Sequence, residues 1–162
     1  MRKLTLFLSL VLCTLLIAQP TVSIQDQKML VTDGENSYVL APNGDDASYF
    51  WASVSPDGKH LVYVTARYGT FVCDINGQNV RSMGRMNAPK WLDNNHVSGM
   101  QEFYKDHDEI DCIRYISRSI DGKVTRDLNE VEKQDFIQKE EARIASEKQR
   151  QAARLISRKY AT

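Results

Sequence analysis

The sequence predicts a mainly β fold of short antiparallel units followed by one long C-terminal α-helix. Two stretches, 29–45 and 62–78, superpose without a gap at an offset of 33 residues. Asn-Gly or Asp-Gly pairs recur at the ends of apolar, β-branched runs, as tight antiparallel turns require. From residue 129 onward neither glycine nor proline interrupts a segment rich in Ala, Glu, Lys, Gln and Arg. Self-similarity at such a period, carried on β-rich runs, reads as supersecondary units stacked side by side.

The chain opens with Arg2 and Lys3 ahead of an uncharged apolar run from Leu4 to Ala18, followed by Gln19-Pro20-Thr21-Val22-Ser23. That layout predicts a secretory signal peptide over residues 1–23, with Ala18 and Ser23 as small residues at which cleavage can occur. The run falls short of the roughly 20 apolar residues of a membrane span. The expected mature chain is therefore exported, periplasmic or secreted, with no membrane span after signal cleavage. Cys13 would leave with the signal. Cys73 and Cys112 remain, and Cys73 sits in the apolar run Phe71-Val72-Cys73, where a thiol packs as a small hydrophobe. Both are expected to be free and at least partly buried.

Within the repeat, Met29-Leu30-Val31-Thr32 lies over Val62-Tyr63-Val64-Thr65, Tyr38-Val39-Leu40 over Phe71-Val72-Cys73, and Asn43-Gly44 over Asn76-Gly77. A looser third copy takes Val97–Met100 and Ile113–Ile116 as strands and Asp121-Gly122 as its turn, with acidic residues 101–111 enlarging the loop between them. Asn-Gly suggests a type I′ turn, in which both central residues hold φ > 0. The closely spaced turns favour a meander over any βαβ arrangement.

The string Phe50-Trp51-Ala52-Ser53-Val54-Ser55-Pro56-Asp57-Gly58-Lys59-His60-Leu61-Val62-Tyr63 resembles the repeat of TolB-like, WD-repeat-like β-propellers. In that family Ser-Pro-Asp-Gly-Lys joins the two inner strands of a blade, and an element such as Asp74-Ile75-Asn76-Gly77 joins the two outer ones. Trp91 resembles the next blade's aromatic strand position, with Asp93-Asn94-Asn95 replacing the Pro-Asp-Gly turn. The resemblance implies β-propeller-type blades over residues 24–128, in which Ser55, Pro56, Asp57, Gly58, Lys59, Asn76, Gly77, Trp91, Asp121 and Gly122 have structural roles. It also implies protein partners in the cell envelope. A closed propeller needs about four to eight blades, and this chain offers two and a half. An incomplete propeller predicts uncovered blade faces, available for self-association or for a protein partner.

Asn129-Glu130-Val131-Glu132 has the form of a capping box that opens a helix over the remaining segment, 129–162. Ile137, Ile144, Ala145, Ala152, Leu155 and Ile156 form its apolar stripe, interrupted by Glu141, Lys148 and Lys159. Acidic residues gather early and basic ones late, an order that suits the helix dipole.

Chemistry-bearing patterns are sparse. Gly-x-Ser-x-Gly, a phosphate-binding glycine loop and Cys-x-x-Cys are absent, and 21 basic against 21 acidic side chains leave no global nucleic-acid footprint. Asp106-His107-Asp108-Glu109-x-Asp111 lacks the glycine and regular ligand spacing of a calcium loop and reads as a solvated acidic loop. Trp51, Trp91 and Tyr104 are the aromatic candidates for a ligand surface. The expectation is a non-enzymatic binding or scaffolding module without metal or cofactor. The alternatives are an accessory propeller fragment related to prolyl-oligopeptidase-type peptidases, or a degenerate paralogue without independent function.

Overall fold

The computed structural model describes residues 19–67, 69–106 and 109–159. Residues 1–18, which carry most of the expected signal peptide, lie outside the described residues. The described strands form three separate sheets that do not close into a ring. The first sheet contains β1 (Thr21–Gln25), β2 (Lys28–Asp33) and β3 (Asn36–Leu40). The middle sheet contains β4 (Tyr49–Val54), β5 (His60–Thr65), β6 (Gly69–Asp74) and β7 (Arg81–Gly84). The third contains β8 (Asn87–Trp91), β9 (His96–Asp106), β10 (Glu109–Ser119) and β11 (Thr125–Asp127). In every sheet sequence neighbours pair antiparallel, so each is a meander. A single helix, α1 (Glu130–Lys159), follows.

The sequence repeat maps β2 onto β5 and β3 onto β6. The alignment missed β1, whose residues read as the tail of an export signal. Val22 and Ile24 of β1 pack on the core, and the expected boundary at residue 23 falls inside this paired strand.

The middle sheet is buried on both faces, which explains its near-continuous apolar run Leu61-Val62-Tyr63-Val64. Leu61, Tyr63 and Cys73 face the first sheet and pack with Met29, Val31 and Tyr49. Val62 and Val72 face the third sheet and pack with Met83, Met86, Val97 and Ile116. Such alternation is the consequence of a two-residue side-chain period. Burial pushes the Cys73 thiol up to about 12 and raises the Tyr63 hydroxyl as well. Cys73 is free and buried; Cys112 is free but exposed, against the expectation of burial, because it lies on strands that outrun their sheet.

The turns share one construction. The N–H of Gly44, Gly58, Gly77 and Gly122 donates to the carbonyl three residues earlier, on Ala41, Ser55, Asp74 and Ser119, at 2.8–2.9 Å. Gly58 and Gly77 hold φ of +75° and +82°, as expected, but Asn76 is not in the positive-φ region. The Asn76-Gly77 turn is thus not type I′. Asp74 N–H donates to Gln78 O beyond it, and of the Asn76-Gly77 pair only the glycine is left-handed, with Asn79 at φ +55° further along the connection.

The ends of the stack are not the bare apolar faces expected of an incomplete propeller. On the outer face of the first sheet, Thr21, Thr32 and Ser37 line up across the strands, with Thr32 and Ser37 hydroxyls 2.9 Å apart. Leu30 and Val39 are the apolar exceptions. At the other end the first turns of α1 pack on the third sheet. Its capping box forms as expected, Glu132 N–H donating to Asn129 Oδ1 and Asn129 N–H to Glu132 Oε2, both at 3.0 Å. The docked side chain is Phe136, outside the expected stripe, which meets the Tyr115 ring edge-on at 5.8 Å. From residue 141 to 155 the helix side chains are exposed, so the stripe from Ile144 to Leu155 covers nothing in this chain.

Of residues 101–111, expected as a loop, residues 101–106 and 109–111 continue the sheet instead. β8 pairs with β9 no further than Met100, and β11 with β10 no further than Ile116. The remainder of β9 and β10 therefore stands out as a two-stranded ribbon.

Candidate functional site

The residues singled out by the sequence build turns and a packed core. Ser55 is buried, and its hydroxyl donates to Asp57 Oδ1 at 2.6 Å while accepting the N–H of His60 at 2.9 Å. Lys59 N–H donates to Asp57 Oδ1 at 3.2 Å, closing the turn between β4 and β5. The hydrogen bond from Ser55 leads the effects that hold the Asp57 carboxyl below its ordinary value. Pro56 presents its carbonyl to Gln19 Nε2, and Pro20 lies against Gly58, so the lead into β1 rests on this turn.

Ser119, Asp121 and Gly122 repeat the device between β10 and β11. Ser119 Oγ donates to Asp121 Oδ1 at 2.5 Å and accepts Val124 N–H at 3.0 Å. Asn76 and Gly77 close the β6–β7 turn, where Gly77 sits under the Leu40 side chain. Trp91 packs between the middle and third sheets and donates its Nε1–H to Ser53 O at 3.2 Å. The turn polar groups are thus engaged in backbone geometry and are not gathered into one pocket. Among the described residues no group of three or more His, Cys, Asp or Glu is placed to hold a metal ion.

What the structure does assemble is a notch where the middle sheet, β8 and α1 meet. It encloses about 200 Å³ between Phe50, Trp51, Val64, Ala88 and Pro89, with Lys90, Glu140 and Arg143 along one wall. Two irregularities make it. The β4–β5 register shifts between Tyr49 and Trp51, so Phe50 is the extra residue, and it is 58% exposed. The β8–β9 register shifts between Asn87 and Lys90, with Ala88 at φ +48°. Bulges re-aim side chains in this way, and Pro89 is tolerated because β8 is an edge strand without a full ladder to supply.

The charged wall is internally paired. Lys90 Nζ lies 2.9 Å from Glu140 Oε2 and 4.8 Å above the Phe136 ring. Arg143 binds Glu140 at 2.5 Å and Glu147 at 2.6 Å. Hydrogen bonds from Arg143, then Lys90, hold the Glu140 carboxyl down at about 2 against the opposing effect of burial. The Arg143 guanidinium is raised by the same contact. With these charges committed to one another, the notch offers aromatic and aliphatic surface, the kind that takes an apolar side chain from a partner.

Sequence reasoning reached Trp51 here and missed Phe50, Val64, Ala88 and Pro89. Their exposure comes from slips in register, which a one-dimensional pattern does not display. Of the other aromatic candidates, Trp91 is in the inter-sheet core and Tyr104 stands on the ribbon. A second, polar cavity of about 310 Å³ lies between the Asn43–Ser48 connection and Thr65–Arg67. No helix among the described residues is long and apolar enough to cross a membrane.

Comparison with protein-family models, with curated proteins and with solved structures returns no match.

Proposed function

We propose that the protein is an exported, non-enzymatic binding or scaffolding module that mediates protein–protein interaction in the cell envelope, with its meanders as TolB-like, β-propeller-type blades. The observation that carries the reading is the apolar notch at Phe50, an exposed aromatic held beside Trp51 on a rigid, doubly buried sheet. Exposed aromatics next to a preformed pocket are the usual anchors of protein interfaces. The blade assignment draws support from Ser55–Lys59 joining the first two strands of the middle sheet and Asp74–Gly77 joining its last two. Export draws support from Arg2, Lys3 and the apolar run to Ala18.

A photo-crosslinking amino acid at position 50, expressed in the native host, tests this. A discrete protein adduct in the envelope fraction at position 50, absent when the same group replaces Ser23 on the polar outer face, is the expected result. Equal yields at both positions, or no adduct at 50, would overturn the proposal.

A further inference from the structure

The first sheet has three strands where each of the other two has four. The repeat aligns β2 with β5 and β3 with β6, and β1 lies along β4, so the strand without a counterpart is β7. β3 sits over the turn between β6 and β7: Leu40 covers Gly77, and the Tyr38 hydroxyl donates to Ile75 O at 3.4 Å. β7 therefore runs on past the edge of β3. Its Ser82, opposite Phe71 on the face turned towards the first sheet, is exposed. The connection from β3 to β4 does not fill the place, because it turns back on itself, Gly44 N–H donating to Ala41 O and Ala47 N–H to Gly44 O.

The free edge of β3 is intact as a hydrogen-bonding surface. Gly34 and Glu35 form a two-residue turn between Asp33 and Asn36. The pair that closes such a turn exchanges both backbone hydrogen bonds and the pattern then alternates, so Asn36, Tyr38 and Leu40 bond β2 while Ser37 and Val39 aim their N–H and C=O outward. The Asp26-Gln27 turn gives the same phase, since Gln25, Ser23 and Thr21 then bond Lys28, Leu30 and Thr32, the residues of β2 that β3 leaves free. Among the described residues no other backbone group meets Ser37 or Val39. Val39 is 64% exposed, and no register slip, proline or lysine interrupts the strand. Other edges are blunted in the usual ways: β4 and β7 by register slips, β8 by a slip and Pro89, β11 by its length of three residues.

We propose that the edge of β3 takes an extended segment of another protein as the fourth strand of the first sheet, antiparallel to β3 as β7 is to β6. Backbone hydrogen bonds to Ser37 and Val39 hold it, and alternate side chains select it. Tyr38 and Leu40 continue the core rows of Val31 and Met29, so the residues opposite them are apolar; Ser37 continues the outer row of Thr21 and Thr32, so the residue opposite it is polar. Asp33 and Glu35 at the turn have no ion pair among the described residues and favour a basic residue at the segment's C-terminal end. A second copy's β3 does not fit the place. A two-fold axis normal to the joined sheet would put both middle sheets on one side of it, with the two β7 strands competing for the same space. The edge is separate from the notch at Phe50, so it stands or falls independently of what binds there.

The probe is the acetylated, amidated peptide Thr-Val-Thr-Val-Thr-Lys, whose valines fall opposite Leu40 and Tyr38 and whose last two threonines fall opposite Val39 and Ser37. Amide exchange is read residue by residue by NMR on the purified protein. At about 1 mM the peptide should slow exchange at Ser37 and Val39 about threefold or more and leave β4 and β8 unchanged. The same peptide N-methylated at those two threonines should have no effect. Val39→Pro removes an outward N–H without touching the β2–β3 ladder and should abolish the slowing at Ser37, with circular dichroism verifying the fold. Unchanged exchange at Ser37 and Val39, or equal slowing by the N-methylated peptide, would overturn the proposal. Slowing at both residues with rising protein concentration and no peptide would overturn it in favour of a second copy.

Discussion

The β5–β6 hairpin and the outer part of the β9–β10 hairpin are built from the same kinds of residue and have opposite fates. In the first, Leu61, Val62, Tyr63, Val72 and Cys73 are all essentially inaccessible; in the second, Phe103, Tyr104, Ile110 and Ile113 stand in solvent. Both are antiparallel; β5 and β6 pair without a break, whereas β9 and β10 slip register twice, between Glu109 and Ile110 and between Ile110 and Cys112. The difference lies in what faces them: β5 and β6 have a sheet on each side, whereas the ribbon outruns β8, β11 and α1. Hairpin pairing supplies geometry, but stability comes from covered faces, and an uncovered apolar ribbon is surface available for binding.

The strongest way to break this comparison is to truncate one tyrosine in each hairpin. Tyr63→Ala removes a buried ring stacked on Phe71 at 5.8 Å and a hydroxyl bonded to Asn43 Oδ1 at 2.6 Å. It should cost about 4 kcal/mol in urea denaturation. Tyr104→Ala, on the exposed ribbon, should cost no more than about 0.5 kcal/mol in the monomer. Similar losses at the two sites would mean that the ribbon belongs to the core.

Phe136 decides whether the third sheet is capped by α1. Phe136→Ala should cost about 3 kcal/mol and release the first turns of the helix while leaving the sheets folded. Circular dichroism at 222 nm with near-ultraviolet spectra of the tryptophans separates the two events. Loss of the tryptophan signal together with the helix would contradict a detachable cap.

Two glycines sharpen the contrast between turns that are packed and turns that are free. A Cβ on Gly77 would sit 2.8 Å from Leu40 Cδ1 at φ +82°, whereas one on Gly122, at φ +74°, meets nothing within 4 Å. Gly77→Val should cost about 2 kcal/mol and Gly122→Val about 1 kcal/mol, the second reflecting backbone strain alone. Equal denaturation midpoints would show that the Leu40 contact is irrelevant.

The smallest effect concerns acid. Glu140 holds its proton affinity down at about 2, against an ordinary carboxyl value near 4.3 in the unfolded chain. A depressed carboxyl contributes stability that is complete above about pH 4.3 and is lost as pH falls towards 2. Helix docking should weaken across that window, and Glu140→Gln should flatten the response. A wild-type profile unchanged by the substitution would remove Glu140 from the cap.

Much of the stack was legible in the sequence. The 33-residue offset placed β2 with β5 and β3 with β6, and Asn129 with Glu132 marked the helix start. The misses have physical causes. β1 was hidden because Thr21–Gln25 follows an apolar run that dominates any local reading. Its alternation of Thr21, Ser23 and Gln25 with Val22 and Ile24 is the visible sign of a strand polar on one side, and hence of a solvated stack end. The ribbon reads as a loop because Glu102, Lys105, Asp106, Asp108, Glu109 and Asp111 mask the strand pattern of a hairpin with no core on either face. Phe136 stands outside the helical stripe that the more numerous aliphatic positions define, while one aromatic at a sheet face outweighs them in buried area. The notch depends on two register slips, at Phe50 and Ala88, that no spacing rule announces.

Hydrogen exchange by mass spectrometry, read at two protein concentrations, tests most directly the claim that the stack is closed at its ends and open at its ribbon. The account predicts that β5 and β6 are the slowest segments at both concentrations, and that residues 101–106, 109–113 and 141–155 exchange fast when dilute. Protection gained on β1–β3 at the higher concentration would contradict it, because the outer face of the first sheet would then be the surface that seeks a partner.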